Sequence, residues 1–266
     1  MTRLLFLTVF CSSVFVCGIA GADEPSPELK AIITKFREDL KSKTPQTRAS
    51  AYTTIAELGN KVESERRAMC EGMLDTAPIV RTAAADCLKK IDEKSYKLAL
   101  AIYINKDNKA VLEAARSKKE SAPLVPLILK LAADISPAAS NVKALNVNAR
   151  ETLQICVDSL CVIDPEDTGV NQAVIRMLAN PVPEMRFVAV GNVHSLKNKK
   201  LAVNGLLTIA ANPKDLEASR TKAIGLLPGI VDENTSGAVK KSLESLRFDD
   251  QPKVREAVEA AMKKIK

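Results

Sequence analysis

Side chains that commonly carry out chemistry are scarce in this sequence, and the first to consider is the chain's one histidine, His194. An imidazole could act as a general base or bind a metal ion. A lone histidine cannot form a two-histidine metal site, so carboxylates or cysteines would have to be brought to it by folding. The alternative is a half-buried helix residue beside the apolar Val193, which agrees better with its isolation.

Four cysteines follow the N-terminal segment: Cys70, Cys87, Cys156 and Cys161. They include no Cys-x-x-Cys pair, which excludes zinc-ribbon and thioredoxin-like sites. Cys70 and Cys87 lie on the two helices of one predicted hairpin, so a disulfide between them is one alternative in an exported protein. It would require Cα atoms within about 7 Å, and the turn near Thr76 places the two residues several positions out of register. The other alternative is that they are small apolar core residues.

Motifs of other enzyme classes are absent from the sequence. It has no glycine-rich phosphate loop, no Gly-x-Ser-x-Gly and no His-Glu-x-x-His. The adjacent Asp249 and Asp250 precede a predicted helix, where capping and the helix dipole account for them. The sequence therefore predicts a protein that is not an enzyme and has no cofactor and no metal site.

The regular feature of the chain is a series of arginines, which we call the anchor arginines. They are Arg48, Arg81, Arg150, Arg186, Arg220 and Arg255. Their spacings are 33, 69, 36, 34 and 35 residues, and 69 is twice about 34, so a further copy lies between Arg81 and Arg150, with Leu112 in the arginine's place. Apolar residues follow the anchors at +3, +7 and +10, on one face of a helix.

Proline stands three residues before the anchor in four of the seven copies: Pro45, Pro78, Pro183 and Pro252. Its missing N–H costs little in a first helical turn, so these prolines indicate helix starts. The copy with Leu112 lacks apolar residues at +7 (Lys119) and at +10 (Ala122, a small side chain), which predicts a short helix there.

Each anchor helix is preceded by a predicted apolar partner helix, and no segment alternates as a strand would. The partners are predicted at about 27–41, 61–75, 94–105, 122–134, 169–180, 199–211 and 235–247. The resulting seven helix–turn–helix units lie near 26–59, 60–92, 93–120, 121–164, 165–197, 198–232 and 233–266. Helix pairs at this period predict a solenoid, in which stacking buries the apolar face that a single unit cannot bury.

The clearest copies, Pro78–Ile91 and Pro252–Ile265, read Pro-x-Val-Arg-x-x-Ala-x-x-x-Leu-x-x-Ile with small variations. This pattern resembles the HEAT repeat in its shorter bacterial form, over nearly the whole chain after residue 22. The resemblance implies an all-α, armadillo-like, right-handed α-solenoid of about seven helix pairs, one of them degenerate. The chain departs from the pattern at Leu112 and at residues 135–146, an unusually long link within the fourth unit.

In HEAT-like repeats the anchor arginine braces the turn between units by bonding carbonyls or an acidic residue. The resemblance therefore implies a structural role for the six anchor arginines. The alternative is a row of guanidinium groups that bind phosphates, and spacing by whole repeats favours the brace.

Composition and charge limit the partners. Hydrophobic residues make up 46% of the chain and aromatic ones only 3%, so the core must be built from Ala, Leu, Ile and Val, as suits closely packed helices. The formal net charge of +7 allows weak attraction to polyanions, and the alternative is a solvated lysine-rich surface. Because aromatic residues for base stacking are few, no specific nucleic-acid partner is predicted.

Residues 1–22 are predicted to be a signal peptide, with 23–266 as the repeat domain. Arg3 precedes the apolar run 4–20, and a small-residue cleavage site ends at Ala22. The run of about 17 residues is marginal for a membrane span, and a retained anchor is the alternative. The prediction is an exported protein, periplasmic or extracellular, with no membrane span after cleavage.

Two surfaces remain as candidates for function: the concave face formed by the second helices, and the 135–146 link, which is otherwise a tolerated insertion. The leading hypothesis is a non-enzymatic scaffold that binds a protein or peptide on the concave face. One alternative is an enzyme or accessory subunit like the phycobilisome bilin lyases, whose short repeats these resemble. Those act in the cytosol, which the signal segment argues against. Non-specific polyanion binding is the other alternative.

Overall fold

A computed structural model describes residues 26–142 and 146–265, and every regular element in these two ranges is helical. The all-α prediction is therefore confirmed for this part of the chain. The predicted signal peptide, 1–22, lies outside the described residues.

We number the α-helices in chain order and, after the predicted pairs, call the odd-numbered ones first helices and the even-numbered ones second helices. They are α1 (Pro27–Asp39), α2 (Pro45–Ala56), α3 (Arg66–Gly72), α4 (Pro78–Ile91), α5 (Glu93–Tyr103), α6 (Asn108–Ser117), α7 (Val125–Ala139), α8 (Val147–Ile163), α9 (Thr168–Leu178), α10 (Pro183–Asn192), α11 (Val203–Ala211), α12 (Glu217–Leu226), α13 (Glu233–Glu244) and α14 (Pro252–Lys264). Turns of 3-10 helix precede α3 (Gly59–Glu65), α7 (Lys118–Leu124) and α11 (Lys199–Ala202), and follow α10 (Val193–Ser195), α12 (Leu227–Gly229) and α13 (Ser245–Phe248).

Two kinds of helix start recur along the chain. Several first helices start from an acidic N-cap: Asp92 accepts from the Ser95 amide at 2.9 Å before α5, and Asp232 forms a capping box with Thr235 before α13. The second helices α2, α4, α10 and α14 start instead with the four predicted prolines, whose place in the first turn is confirmed.

The core is built mainly from aliphatic side chains on the inner faces of the helices. The predicted stripe is buried, as Ala84 and Leu88 of α4 and Ala189 of α10 show. Each fully buried Leu, Ile or Val side chain contributes about 1.5–3 kcal/mol. Phe36 and Tyr52 form an edge-to-face aromatic pair at 5.5 Å near the N-terminal end.

The second helices form a row that is continuous from α6 to α14. α6 packs on α8, and α8, α10, α12 and α14 pack successively on one another. α2 packs on α4, but the main contacts of α4 beyond α2 are with α3 and α5, and α7 reaches back to α3 and α5. The packing pattern therefore changes between α4 and α6.

The change coincides with the copy that lacks an anchor arginine. Lys106 (φ 53°) and Lys118 (φ 45°), on either side of α6, have left-handed backbone conformations that are unusual for non-glycine residues. α6 was predicted to be short, and its ten residues equal those of α10 and α12. Unlike those two helices, α6 does not continue directly along its axis, because the backbone turns at Lys118.

The predicted link over 135–146 is shorter than expected, because α7 continues to Ala139 and takes up residues 135–139. The interpretation of this whole segment as a link was wrong. Pro137 lies within α7 but only two residues before its end. Its missing N–H removes only the bond to the Ala133 carbonyl, so the helix passes through it.

One stretch, Asn108–Ala139, is long and apolar enough to cross a membrane by length and composition. In the structure it is divided into α6 and α7 by the turn at Lys118. Leu127, Ile128 and Leu131 of α7 are buried, and α7 packs closely on α8. Its apolar side chains are therefore accounted for by the protein core.

Candidate functional site

Three of the anchor arginines, Arg48, Arg186 and Arg220, join successive turns, and Arg220 does so most completely. Its side chain is 1% exposed. Nε donates to the Ala210 carbonyl at 2.9 Å, and Nη1 donates to Gln251 Oε1 at 3.0 Å. Both Nη atoms also donate to the carboxylate of Asp249, in the following turn. Charge-assisted bidentate pairs of this kind are among the strongest hydrogen bonds in proteins.

Arg186 and Arg48 repeat this arrangement. Arg186, 9% exposed, donates to Asp215 at 2.7 Å and to the Asn180 carbonyl. Arg48 donates to both carboxylate oxygens of Asp75 at 2.8 Å and to the carbonyl of Ser42 at 2.7 Å. Each arginine thus reaches back to the turn before its own helix and forward to an acidic residue in the next turn.

The other three anchors donate to backbone carbonyls that precede their own helices. Arg81 donates to the carbonyls of Asp75 and Thr76, both at 2.9 Å. Arg255 donates to the carbonyls of Asp249 and Asp250, and Arg150 donates to that of Asn141 at 3.4 Å. Asp75 and Asp249 each join two anchors, one through the carboxylate and one through the carbonyl.

These contacts change the pKa values of two of the acidic partners, Asp75 and Asp249. The hydrogen bond from Arg48 lowers the pKa of Asp75, and the one from Arg220 lowers the pKa of Asp249. With Arg186 and Arg220 buried, a ligand phosphate could not reach their guanidinium groups. A phosphate-binding row of anchors is therefore not supported at these two positions.

His194 lies away from any cluster of ligands. α10 ends at Asn192, and His194 is exposed in the 3-10 turn that follows, so the prediction of a half-buried helix residue was wrong. The tighter rotation of a 3-10 turn places it outside the buried face. Its Nδ1 is 2.7 Å from the Gly191 carbonyl and its Nε2 is 3.3 Å from Ser195 Oγ. Within 26–142 and 146–265, no group of three His, Cys, Asp or Glu side chains could hold a metal ion.

The four described cysteines are buried free thiols, so the alternative of a Cys70–Cys87 disulfide is not realised. Cys70 lies six residues before Thr76 and Cys87 eleven residues after it. A mismatch of five positions between antiparallel helices is an axial offset of about 7.5 Å, beyond the limit of about 7 Å between the Cα atoms of a disulfide. Burial raises the pKa of both thiols to about 12, which keeps them neutral and unreactive.

Two surface grooves lie between second helices. The first, the α2/α4 groove, has a volume of about 750 Å³. Ile79, 52% exposed, projects into it beside the neutral Thr82. Its charged residues are Glu57, Asp86 and Lys90, and Lys90 pairs with Glu57 at 2.8 Å.

The second groove, the α8/α10 groove, has a volume of about 390 Å³ and extends to α12. Phe187, 39% exposed, lies in it with the Lys222 ammonium 5.8 Å from its ring centroid. The remaining charges are the carboxylates of Asp158 and Glu184. Each groove is thus lined by two carboxylates and one lysine, although the whole chain carries +7.

A third concavity, the α7/α9 pocket, lies between two first helices and has a volume of about 320 Å³. It is lined by Leu129, Ala132, Ala133, Ser136, Pro137, Leu153, Val157, Ala173, Arg176, Met177 and Asn180. Sequence reasoning missed this pocket. The available signal was a set of small residues on neighbouring first helices, but it becomes visible only when the two helices are placed side by side.

The chain matches no protein-family model, and no curated protein is similar to it.

Proposed function

We propose that this protein is a non-enzymatic scaffold of HEAT-like helix pairs that binds a protein or peptide along its second helices. The repeated Pro-x-Val-Arg pattern and the successive packing from α6 to α14 support this proposal. A right-handed solenoid of about seven units would place the second helices on its concave face, where repeat proteins commonly bind partners.

The observation that carries the proposal is the character of the α2/α4 and α8/α10 grooves. Each presents one exposed apolar side chain, Ile79 or Phe187, in a depression otherwise lined mainly by small and polar residues. Single exposed apolar residues are common on protein surfaces, but here both lie in concavities between second helices. Such sites suit apolar anchor side chains of a partner.

The charges of the grooves favour a partner with basic residues. Two carboxylates against one lysine in each groove would repel phosphates and attract Lys or Arg beside the anchor side chain. The positive charge of the chain therefore lies outside the two grooves. This distribution supports a basic peptide segment over a polyanion as the occupant.

Export of the protein is part of the proposal and rests on residues 1–22. Cleavage after Ala22 would release a chain that begins at Asp23. Cell fractionation, followed by N-terminal sequencing of the isolated protein, distinguishes this chain from one that keeps the segment as an anchor.

The binding surface can be tested by site-specific photo-crosslinking in the cells that produce the protein. A photoreactive amino acid is placed at Ile79 or at Phe187. The matched control is Ile104, which is also exposed but lies at the end of the first helix α5. The proposal expects the same protein partner to be crosslinked from positions 79 and 187 and not from 104. Crosslinking from all three positions alike, or from none, would contradict a partner on the second helices.

A further inference from the structure

The α7/α9 pocket lies between two parallel helices, α7 and α9, which contact each other near both ends and leave a space in the middle. At one end Gly169 packs on Leu129, since a Cβ on this glycine would lie 2.8 Å from Leu129 Cδ1. At the other end Asn180 Nδ2 donates to Ser140 Oγ at 2.8 Å. The two contacts are eleven residues apart on both segments, so α7 and α9 run side by side in the same direction.

Small side chains keep the middle of this junction open. Ala132 and Ala133 of α7 and Ala173 of α9 leave the two helices without side chains large enough to fill the space. Leu153 and Val157 of α8, both buried, form an apolar wall of the pocket. The volume of about 320 Å³ is at the lower end of the range for ligand pockets, enough for one small apolar molecule.

One cation lies at this apolar pocket. Arg176 lines it and is exposed, and no hydrogen bond or ion pair joins its guanidinium to another residue in the part of the chain that the structure describes. The contrast with Arg186 and Arg220 is large, because those guanidinium groups are saturated by carboxylates and carbonyls. Arg176 is therefore available to a carboxylate from outside the chain.

We propose that the α7/α9 pocket binds a single-chain carboxylate amphiphile, such as a medium-chain fatty acid. The alkyl chain lies along Leu153, Val157 and Met177, and the carboxylate accepts hydrogen bonds from Arg176. The eight steps from Leu129 to Pro137 span about 12 Å along α7, which is about the length of a ten-carbon chain. This ligand site is separate from the grooves of the proposed function and does not depend on them.

Calorimetric titration of the full chain with decanoate and with decanol tests the role of the cation. We expect one decanoate per chain, bound about two- to fivefold more tightly than decanol, because an exposed ion pair adds only modestly to affinity. Arg176→Gln is expected to reduce the affinity for decanoate to that for decanol and leave decanol binding unchanged. The matched control is Arg116→Gln, at an exposed arginine of α6, which should change neither.

The location is tested on the unaltered chain by NMR of its methionine methyl groups. Decanoate should shift the signal of Met177, which lines the pocket, and leave that of Met69, buried in α3, in place. Ala133→Trp, at an exposed position of the lining, should abolish both the shift and the binding. No binding below the micellar concentration, or binding that leaves Met177 unshifted, would overturn the proposal.

Discussion

Arg220 and Leu112 hold the same position of the sequence repeat, and the regions around them are organised differently. Arg220 is buried and joins the end of α11 to the turn before α14 through the Ala210 carbonyl and the Asp249 carboxylate. Leu112 is 42% exposed and cannot make such bonds. Around Arg220 the second helices pack successively, whereas α4 and α6 have few contacts with each other, and α4 packs on the first helices α3 and α5 as well as on α2.

A different contact connects distant parts of the chain across the irregular region, which is the part between α4 and α6 where the packing pattern changes. Arg67 of α3 donates to Asp167, the N-cap of α9, at 2.6 Å, although the two residues are 100 positions apart. We infer that the braces of Arg48, Arg186 and Arg220 help to fix three of the junctions between units, and that the pair of Arg67 and Asp167 connects more distant units.

Replacement of Arg220 should have the largest effect. Arg220→Met leaves Asp249, Gln251 and the Ala210 carbonyl without their donor, and loss of one partner of a buried ion pair typically costs about 3–5 kcal/mol. Urea unfolding followed by circular dichroism measures the change. Lys241→Met, at an exposed position of α13, is the control. Equal stability of the two variants would show that the brace does not stabilise the fold.

Lowering the pH should reduce the free energy of unfolding by protonating the carboxylates of the braces. Hydrogen bonds from Arg48 and Arg220 lower the folded-state pKa values of Asp75 and Asp249, so these carboxylates stabilise the fold above their unfolded pKa of about 3.9. The contribution is lost as the pH falls through the lower folded pKa values. The free energy of unfolding should be nearly constant from about pH 6 to 5 and fall below about pH 4.

The variant Asp249→Asn isolates the contribution of this one carboxylate to the pH dependence of the free energy of unfolding. Because Asn does not titrate there, its unfolding free energy should fall less steeply below pH 4 than that of the parent chain. An unchanged slope would mean that Asp249 does not contribute to the pH dependence.

The contact across the irregular region should be weaker than the buried brace. Arg67 is partly exposed, so solvent screening limits its pair with Asp167 to about 1 kcal/mol or less. A double-mutant cycle of Arg67→Met and Asp167→Asn measures the coupling free energy, since Asn can still cap α9. A coupling free energy indistinguishable from zero would show that the contact between Arg67 and Asp167 does not help to determine the packing.

Restoring an arginine in the degenerate copy should have the smallest effect. The acidic partners of Arg48, Arg186 and Arg220 lie 27 or 29 residues after the arginine. The corresponding positions after Leu112, 139–141, are Ala, Ser and Asn. Leu112→Arg should therefore change the unfolding free energy by about 0.5 kcal/mol or less, as expected for an exposed site. A gain comparable to the loss in Arg220→Met would contradict the need for an acidic partner.

The sequence predicted the features that repeat and missed those that do not. The prolines, the apolar stripe and the alternation of helix pairs recur at one period, so each copy supports the others. The pair of Arg67 and Asp167 belongs to no period, and neither residue differs locally from an ordinary surface charge. The α7/α9 pocket depends on Ala132, Ala133 and Ala173 facing one another, which helix periodicity alone cannot establish.

The link over 135–146 shows a further limit. The first helix of the fourth unit was predicted over about 122–134, with the link beginning at residue 135. A proline in the last turn removes one hydrogen bond but does not prevent the helix from continuing to Ala139. Its effect is instead to leave the Ala133 carbonyl without its usual helical donor, beside the pocket.

The measurement that tests the brace most directly is a double-mutant cycle of Arg220→Met and Asp249→Asn, with unfolding free energies determined in urea. If the brace couples neighbouring turns, the coupling free energy should be about 1.5–3 kcal/mol, the range for hydrogen bonds to charged groups. A value near zero, with the two single variants additive, would show that Arg220 stabilises the fold without joining α12 to the next turn, and would contradict this account.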